Sequence, residues 1–253
     1  MASQEQETIA QKIAQFPHWY HQIEVAPGVV TPGINATPLV LELLDLPEDC
    51  TGMRALDIGA RDGFFSFELE KRGANVLALD YVEPTQTGFA IAKELLQSQV
   101  EYKVANVYDL NPEDYGTFDI VLFLGVLYHL RNPLLALDKI WSVCSGQLWI
   151  ESQVIDNAFL DYQSQQLHPL SVVSPNLTTT PIMQFYPQNT LNNDFTNWWA
   201  PNMACLTAML EDANFVVERS LLHGSRGIAH CRVNNDKQIN HYRNIENSIV
   251  GDH

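Results

Sequence analysis

The stretch ALDIGARDGFFSF, residues 55–67, decides the fold that we expect for this protein. Its first five residues are typical of a buried strand that ends in a tight turn. The residues that follow predict a helix from Phe64 to Arg72, closed by Gly73. Gly59 allows the chain to turn sharply and lie close to a ligand, and Gly63 allows the helix to begin nearby. Strand, turn and helix together predict one unit of an α/β sheet.

The same order of strand and helix recurs beyond this unit. Each predicted strand is a short apolar run, and each predicted helix has apolar residues at helical spacing. Because parallel neighbours require crossover connections, this order predicts a doubly wound, mostly parallel sheet with helices on both faces. The seven predicted strands cover residues 55–59, 75–80, 100–106, 118–125, 147–154, 215–222 and 228–233, and the predicted helices cover residues 38–46, 64–72, 89–97, 133–144 and 203–213.

The sequence divides into a main domain and three flanking or inserted segments. Residues 51–233 hold the predicted sheet, and residues 1–50 form an N-terminal helical cap segment. Residues 155–200 lack a periodic pattern, but their many aromatic residues argue against disorder. We therefore expect an inserted lid over the carboxyl end of the fifth predicted strand. Residues 234–253 are polar and predict a frayed tail.

Composition and charge argue against several classes of function. Of the 253 residues, 46% are hydrophobic, enough for a globular core, and the net charge of −16 opposes general affinity for nucleic acid or anionic membranes. The N-terminus lacks the features of a secretory signal, and no apolar run is long enough to cross a membrane. The four cysteines form no CxxC pair, and no histidine pair shares ligand spacing with a carboxylate. We therefore expect a cytoplasmic protein without a metal site, a monomer or a homodimer.

Polar residues close three successive strands of the predicted sheet. Asp57 precedes the first glycine of the turn, where it organises the loop or receives an ammonium group. Asp80 closes the second strand, where a carboxylate can accept from both hydroxyls of a ribose, and Asn106 ends the third, where an amide can pair with an adenine edge. A dehydrogenase fingerprint would require GxGxxG, and Arg61 weakens that interpretation. The three positions together predict a nucleoside site, although each alone is equally compatible with a turn or a cap.

The segments ALDIGARDGFFSF, LALDYV, ANVYDL and FDIVLFLGVLYHLRNPL resemble class I S-adenosylmethionine-dependent methyltransferases. GVLYHLRNPL, ESQVID and MQFYPQNTLNNDFTNWWAPN most resemble the group that includes the tRNA wobble-uridine carboxymethyl-/methyltransferases and its small-molecule relatives. The resemblance covers residues 18–233 and implies a Rossmann-like fold with S-adenosylmethionine as cofactor and S-adenosylhomocysteine as product. It implies a cofactor site that includes Asp57, Gly59, Ala60, Gly63, Asp80, Tyr81, Asn106, Val107 and Leu124.

The resemblance also bears on which form of the cofactor is used. The carboxymethyl-transferring enzymes hold the extra carboxylate of their modified cofactor with a tyrosine, an arginine and a lysine. Tyr128 matches that tyrosine and Arg226 matches the arginine, but no lysine occurs between Lys12 and Lys71. This departure favours ordinary S-adenosylmethionine and, with the acidic composition, argues against tRNA as the substrate.

Methyl transfer to oxygen or to a protonated nitrogen requires a base beside the methyl group. His129, just past the fourth predicted strand, is our candidate, with Tyr128 beside it, although a structural histidine bonded to backbone is equally compatible. Of the adjacent Trp198 and Trp199, we expect one to anchor the lid and the other to contact the acceptor. The residues predicted to bind the acceptor are Tyr20, His21, Asp194, Asn197, Trp198, His223 and Arg226.

Three functions remain open at this point. The first is a methyltransferase acting on O or N of a small molecule, in secondary metabolism. The second is a tRNA-modifying methyltransferase, for which residues 219–243 supply five basic residues against one acidic residue, Asp236. The third is a cofactor-binding scaffold without turnover, which the intact set of Asp57, Gly59, Gly63 and Asp80 argues against.

Overall fold

The computed structural model describes residues 4–35 and 37–234. A seven-stranded sheet forms its centre, with smaller elements at the N-terminus and in the insertion. The predicted tail lies, from residue 235 onward, outside the described residues. In chain order the elements are α1 (Gln4–Ile13), β1 (Glu24–Ala26), β2 (Val29–Val30), α2 (Thr37–Leu44), β3 (Arg54–Ile58), α3 (Phe64–Lys71), β4 (Asn75–Asp80), α4 (Phe89–Leu96), β5 (Glu101–Val104), α5 (Pro112–Tyr115), β6 (Phe118–Leu124), α6 (Pro133–Val143), β7 (Cys144–Gln153), β8 (Phe159–Asp161), β9 (Gln166–His168), α7 (Leu170–Val173), β10 (Met183–Phe185), β11 (Trp199–Pro201), α8 (Met203–Asp212), β12 (Phe215–His223) and β13 (Arg226–Val233).

The strand order of the main sheet is β12-β13-β7-β6-β3-β4-β5. The five strands from β7 to β5 are parallel, whereas β13 runs antiparallel to β7 and β12 antiparallel to β13. The predicted fold, a mostly parallel seven-stranded α/β sheet, is confirmed. In the sheet, β4 lies on one side of β3 and β6 lies on the other side, so the strand order reverses at β3. A ligand of such a sheet lies where the order reverses, beyond the carboxyl ends of β3 and β6.

Apolar side chains cover both faces of the sheet. One core cluster packs α6 and α8 against one face, and the other packs the N-terminal segment, α3 and α4 against the opposite face. The central strands are buried on both sides; in β6, for example, Val121, Leu122 and Phe123 are each fully buried. This double burial explains why β6 is a continuous apolar run in the sequence rather than an alternating one.

The insertion, residues 155–200, has more regular structure than its sequence indicates. Two antiparallel ribbons, β8–β9 and β10–β11, and the short helix α7 pack around their own apolar cluster, in which Leu170 and Tyr186 are fully buried. The strands of these ribbons are only three residues long. A strand that short shows too little alternation to be detected, which is why these ribbons leave no periodic pattern in the sequence.

Candidate active site

The turn after β3 is pressed against the turn after β6. The Gly59 N–H donates to the Leu79 carbonyl at 2.7 Å, with φ of 77°, and Ala60 N–H donates to the same carbonyl at 3.2 Å. A Cβ on Gly59 would lie 2.4 Å from Cγ2 of Val126. Only glycine fits this position, because any side chain would meet the turn that follows β6. The two strand ends on either side of the switch point are therefore in direct contact.

Asp80 joins the end of β4 to the glycine-bearing turn. Its buried carboxylate accepts from the Arg61 N–H at 2.9 Å through Oδ2 and from the Tyr81 N–H at 2.7 Å through Oδ1. Arg61 has φ of 54°, a left-handed conformation for a residue other than glycine. A carboxylate has about four lone-pair positions, so Asp80 keeps capacity for further donors such as ribose hydroxyls. Its placement fits the role that the resemblance implies.

Asp57 is committed to the start of α3. Its carboxylate is buried and accepts from the Ser66 hydroxyl at 2.6 Å. Burial raises the pKa of Asp57 to about 6, and the charge of Asp80 acts in the same direction, whereas the Ser66 bond lowers it. Of the two roles open from the sequence, organisation of the loop has a contact in the structure.

The residues predicted around adenine lie at the ends of β5 and β6. The Asn106 side chain accepts from the Tyr108 N–H at 3.1 Å and caps a short 3₁₀ helix, Val107–Asp109. Its carboxamide nitrogen is left for a ligand, so the cap and the binding role are compatible. Val107 is buried, Leu124 is partly buried at the end of β6, and Tyr81 is 74% exposed. Tyr81 thus has its ring free of the core.

Asp62 is a residue that the sequence analysis missed. Its carboxylate is fully buried and accepts from the Tyr20 N–H at 2.7 Å and the His21 N–H at 2.9 Å through Oδ2. Through Oδ1 it accepts from the Gly88 N–H at 2.9 Å. Asp62 therefore fixes the N-terminal segment and the turn before α4 against the glycine-bearing turn. No sequence signal marks it, because its three donors are backbone groups far away in the chain.

His21 lies buried beside this junction. Its Nδ1 has no hydrogen-bond partner among the described residues, and its ring packs against the rings of Tyr20, Phe64 and Phe65. Burial lowers the pKa of His21 to about 4, the charge of Asp62 opposes this effect, and that of Arg61 adds to it. The imidazole is therefore neutral near pH 7. An unpartnered polar atom next to the glycine-bearing turn fits a site that receives a polar ligand.

A second group of charged and polar side chains lies at the carboxyl ends of the parallel strands, on the side of β6 and β7. Both nitrogens Nε and Nη2 of Arg226 donate to the Glu151 carboxylate, the latter at 2.7 Å. Nη2 also donates to the Tyr128 hydroxyl at 3.1 Å, and Nη1 to Gln153 at 3.3 Å. A Cβ on Gly125 would lie 3.7 Å from both Arg226 Nη2 and Tyr128 Oη. The strand ends of β6, β7 and β13 thus meet in one cluster, which we call the mouth cluster: Tyr128, Glu151, Gln153 and Arg226.

Two groups of the mouth cluster have shifted pKa values. Burial raises the pKa of Tyr128, Arg226 lowers it, and Glu151 and the nearby Tyr20 raise it further. Burial alone would lower the pKa of Arg226, but the hydrogen bonds and charge of Glu151 outweigh burial and raise it. At neutral pH the tyrosine is therefore a hydroxyl, and the arginine is a cation whose charge Glu151 compensates.

His129 adjoins the mouth cluster and is held by the insertion. Its ring lies 4.2 Å from that of Tyr128, and its Nδ1 lies 2.8 Å from the Thr196 hydroxyl. That hydroxyl in turn donates to Asp194 at 2.7 Å. Burial lowers the pKa of His129, Asp194 and Thr196 raise it in part, and Arg226 adds to the lowering. The ring is therefore neutral near pH 7, the form that a base requires.

The remaining predicted residues are placed as follows. Trp198 donates its backbone N–H to the Tyr128 carbonyl at 2.8 Å, and the Arg131 guanidinium lies 4.3 Å from its ring centroid. Trp199 packs on Phe185 instead. Asn197 is buried and donates to the Leu191 carbonyl at 3.0 Å, and its Oδ1 has no partner within the part of the chain that the structure describes. Arg226 and His223 were expected in a loop, but they lie in paired strands, because the connection between β12 and β13 is only a two-residue turn. His223 is exposed there.

The described residues contain neither a cluster of metal ligands nor a membrane-spanning helix. Across residues 4–35 and 37–234, no three histidine, cysteine, aspartate or glutamate side chains are grouped as metal ligands. No helix in the same part of the chain has the length and apolar character needed to span a membrane.

Comparisons with known proteins identify the class to which this fold and site belong. Residues 56–147 match the family model described as "Methyltransferase domain". A tRNA U34 carboxymethyltransferase from Dichelobacter nodosus is 30% identical over 182 residues, which cover 70% of this chain and 50% of that protein. A ubiquinone biosynthesis O-methyltransferase from Xanthomonas oryzae pv. oryzae is 34% identical over 109 residues, 43% of this chain and 45% of that protein. The chain thus spans about half the length of the curated relatives that it matches, or less.

Solved structures agree on the fold. The N-terminal domain of EvdMO1, crystallised in the presence of SAH and D-fucose, superposes with a TM-score of 0.62 at 18% identity, covering 92% of this chain and 97% of that one. Residues 56–147 therefore form a methyltransferase domain of the class I S-adenosylmethionine-dependent type. The predicted fold is confirmed, and the predicted family, enzyme class and cofactor are confirmed for this domain.

Proposed function

We propose that this protein transfers a methyl group from S-adenosylmethionine to an oxygen or nitrogen of a small-molecule acceptor, in the biosynthesis of a secondary metabolite in the cytoplasm. One observation carries the proposal: His129 and the mouth cluster converge from three strand ends and the insertion, next to the turn that holds Gly59. A neutral imidazole, a hydroxyl and a compensated ion pair at this edge make up the wall of an acceptor site.

The residues present fit the cofactor. Asp80 would hold the ribose, Asn106 and Val107 would lie at the adenine, and the turn from Asp57 to Gly63 would face the methionine part. When bound, S-adenosylmethionine supplies a methyl carbon that is already activated for displacement by its sulfonium. The protein must then align the acceptor and exclude water, a contribution on the order of 7–11 kcal/mol in favourable cases.

The chain's own groups supply the rest of the chemistry. His129 accepts the proton of the acceptor, a contribution of about 10²–10⁴-fold in rate. Tyr128, with Arg226 and Glu151 behind it, orients the acceptor's polar group. Tyr20 closes the opposite side on the segment held by Asp62, and residues 155–200 act as the lid that keeps water out. This division assigns residues 1–50 to a cap and residues 51–233 to the catalytic domain.

The charge pattern favours a small molecule over tRNA. Each described arginine of the basic stretch is paired with a carboxylate: Arg219 with Asp45, Arg226 with Glu151 and Arg232 with Glu218. Lys237 and Arg243 of that stretch lie outside the described residues. A surface that binds the phosphates of tRNA requires unpaired cations. The names of the tRNA U34 relatives therefore support the chemistry of transfer more than the identity of the acceptor.

Calorimetric titration with S-adenosylmethionine, S-adenosylhomocysteine and bulk tRNA at physiological salt tests this proposal. We expect both cofactor forms to bind and tRNA not to bind, and Asp80→Ala to weaken cofactor binding markedly. Unchanged cofactor affinity in Asp80→Ala would refute the assignment of Asp80. Tight, salt-sensitive binding of tRNA would overturn the small-molecule acceptor in favour of nucleic-acid modification. Absence of cofactor binding would leave a non-catalytic scaffold.

A further inference from the structure

A chain of hydrogen bonds links His129 to the lid. Nδ1 of His129 lies 2.8 Å from the Thr196 hydroxyl and 3.3 Å from the Thr196 carbonyl oxygen. The Thr196 hydroxyl lies 2.7 Å from Oδ1 of Asp194, which also accepts the Thr196 N–H at 2.8 Å. The three groups come from two segments, the turn after β6 and the lid, and they are in direct contact.

The donors and acceptors of this chain fix its direction. A carbonyl oxygen only accepts, and the hydrogen of the Thr196 hydroxyl is used by the Asp194 carboxylate. Nδ1, the ring atom that faces both of these oxygens, must therefore be the donor. The proton of the neutral imidazole is thus on Nδ1. Nε2 then carries the free lone pair, and within the described residues it has no hydrogen-bond partner. The arrangement leaves one ring nitrogen free to accept a proton.

We propose that Thr196 and Asp194 are positioning residues, which hold His129 in the tautomer that leaves Nε2 ready to take the acceptor's proton. The inference rests on the proposed function for the identity of the reaction. As the acceptor's oxygen or nitrogen bonds to the methyl carbon, its proton passes to Nε2. The electron pair of the broken carbon–sulfur bond stays on sulfur. The resulting imidazolium is then compensated by Asp194 through the Thr196 hydroxyl.

The same contacts make the base depend on the position of the lid. The Trp198 N–H donates to the Tyr128 carbonyl at 2.8 Å, and Arg131 stacks on the Trp198 ring, so residues 194–198 are attached to the turn that carries His129. If this segment moves away, Nδ1 loses both of its acceptors. These hydrogen bonds therefore couple closure of the lid over the acceptor to the tautomer in which His129 can act as the base.

The tautomer of His129 can be measured without an acceptor, by nitrogen NMR of the full chain labelled with ¹⁵N-histidine. His129→Gln assigns the resonances. We expect wild type to show the proton on Nδ1 and Thr196→Val to raise the ratio of the Nε2–H to the Nδ1–H form by about two- to tenfold, the effect of losing one net hydrogen bond. This change in the tautomer ratio should be partial, because the Thr196 carbonyl oxygen still accepts from Nδ1. Thr196→Ser should restore the wild-type ratio.

A control and a second variant separate this inference from a general disturbance. Thr178 also lies in the lid, but its hydroxyl donates to the Pro175 carbonyl at 2.8 Å, so Thr178→Val should leave His129 unchanged. Asp194→Asn should lower the pKa of His129, because it removes the charge that raises it. An Nε2–H tautomer in wild type, or identical ratios in wild type and Thr196→Val, would overturn the inference. The proposed function fails separately, if S-adenosylhomocysteine does not bind.

Discussion

Asp62→Asn is the perturbation that most directly tests how the N-terminal segment is held over the site. The substitution keeps the size and shape of the side chain but replaces one carboxylate oxygen by an NH₂ group. In the wild type, the two oxygens accept from three backbone N–H groups, at 2.7 Å (Tyr20), 2.9 Å (His21) and 2.9 Å (Gly88). Asparagine has a single oxygen, so it cannot accept both from the Tyr20 and His21 amides and from the Gly88 amide.

The magnitude follows from the geometry. If the asparagine oxygen faces Tyr20 and His21, the Gly88 N–H loses its partner and meets another donor. A hydrogen bond to a charged group contributes about 1.5–3 kcal/mol and a neutral one about 0.5–1.5 kcal/mol. One bond lost and two weakened give about 3–5 kcal/mol, from which relief of the buried charge subtracts part. We expect a net loss of about 2–4 kcal/mol, which corresponds to roughly 4–8 °C in Tm for a chain of this length.

Urea denaturation and amide hydrogen exchange check this expectation. The free energy of unfolding should fall by the stated amount. Protection should be lost first at the Gly88 amide and reduced at the amides of Tyr20 and His21. Asp45→Asn is the matched control, because the Asp45 side chain is 80% exposed in its pair with Arg219. If Asp62→Asn costs no more than Asp45→Asn, or if the amides of Tyr20, His21 and Gly88 all stay protected, the reasoning about Asp62 is wrong.

Two further predictions concern the chemistry and the pH dependence of stability. His129→Ala should lower turnover by about 10²–10⁴-fold with unchanged affinity for S-adenosylhomocysteine. His168→Ala in β9 is the control. Wild-type turnover in His129→Ala would mean that His129 is structural. Asp57 has a pKa raised from 3.8 to about 6, so its contribution to stability is complete below about pH 4 and is lost as the pH rises through about 6. Between about pH 4 and pH 7, wild type should therefore lose up to about 3 kcal/mol relative to Asp57→Asn, since one pKa unit is about 1.4 kcal/mol. Parallel stability curves for the two proteins would contradict this.

The parts of the molecule that sequence reasoning predicted well are those with local signals. β4 has the predicted bounds, and β3, β6 and α3 differ from prediction by a residue or so, because apolar runs and helical spacing are written in consecutive residues. Asp80 and Asn106 could be singled out for the same reason, since Asp80 is the last residue of β4 and Asn106 follows β5 by two residues. Because the carboxyl ends of parallel strands lie at one edge of the sheet, two residues that end different strands could also be predicted to lie near each other.

The parts that were missed depend on contacts between distant segments. Asp62 meets His21 across 41 residues, and His129 meets Thr196 across 67. Asp194, which is predicted to bind the acceptor, also bonds to Thr196 in the structure, and that bond was not predicted. Nothing in the residues around Asp62 or Thr196 distinguishes an acceptor of backbone donors from an ordinary loop residue. Such pairs are set by how the insertion and the N-terminal segment dock, and docking has no local pattern.

Arg226 shows why a transferred residue must be judged with its new neighbours. The resemblance predicts Tyr128 and Arg226 as a pair, and Arg226 Nη2 does lie 3.1 Å from the Tyr128 hydroxyl. Glu151, however, takes two of the guanidinium's donors from β7 and compensates its charge. A free arginine attracts an anion, but an arginine held by a partly buried carboxylate presents little net charge and repels a second carboxylate through its partner. We infer that the pair orients the Tyr128 hydroxyl. This arrangement favours a transferred methyl group that bears no carboxylate, and a polar, non-anionic acceptor.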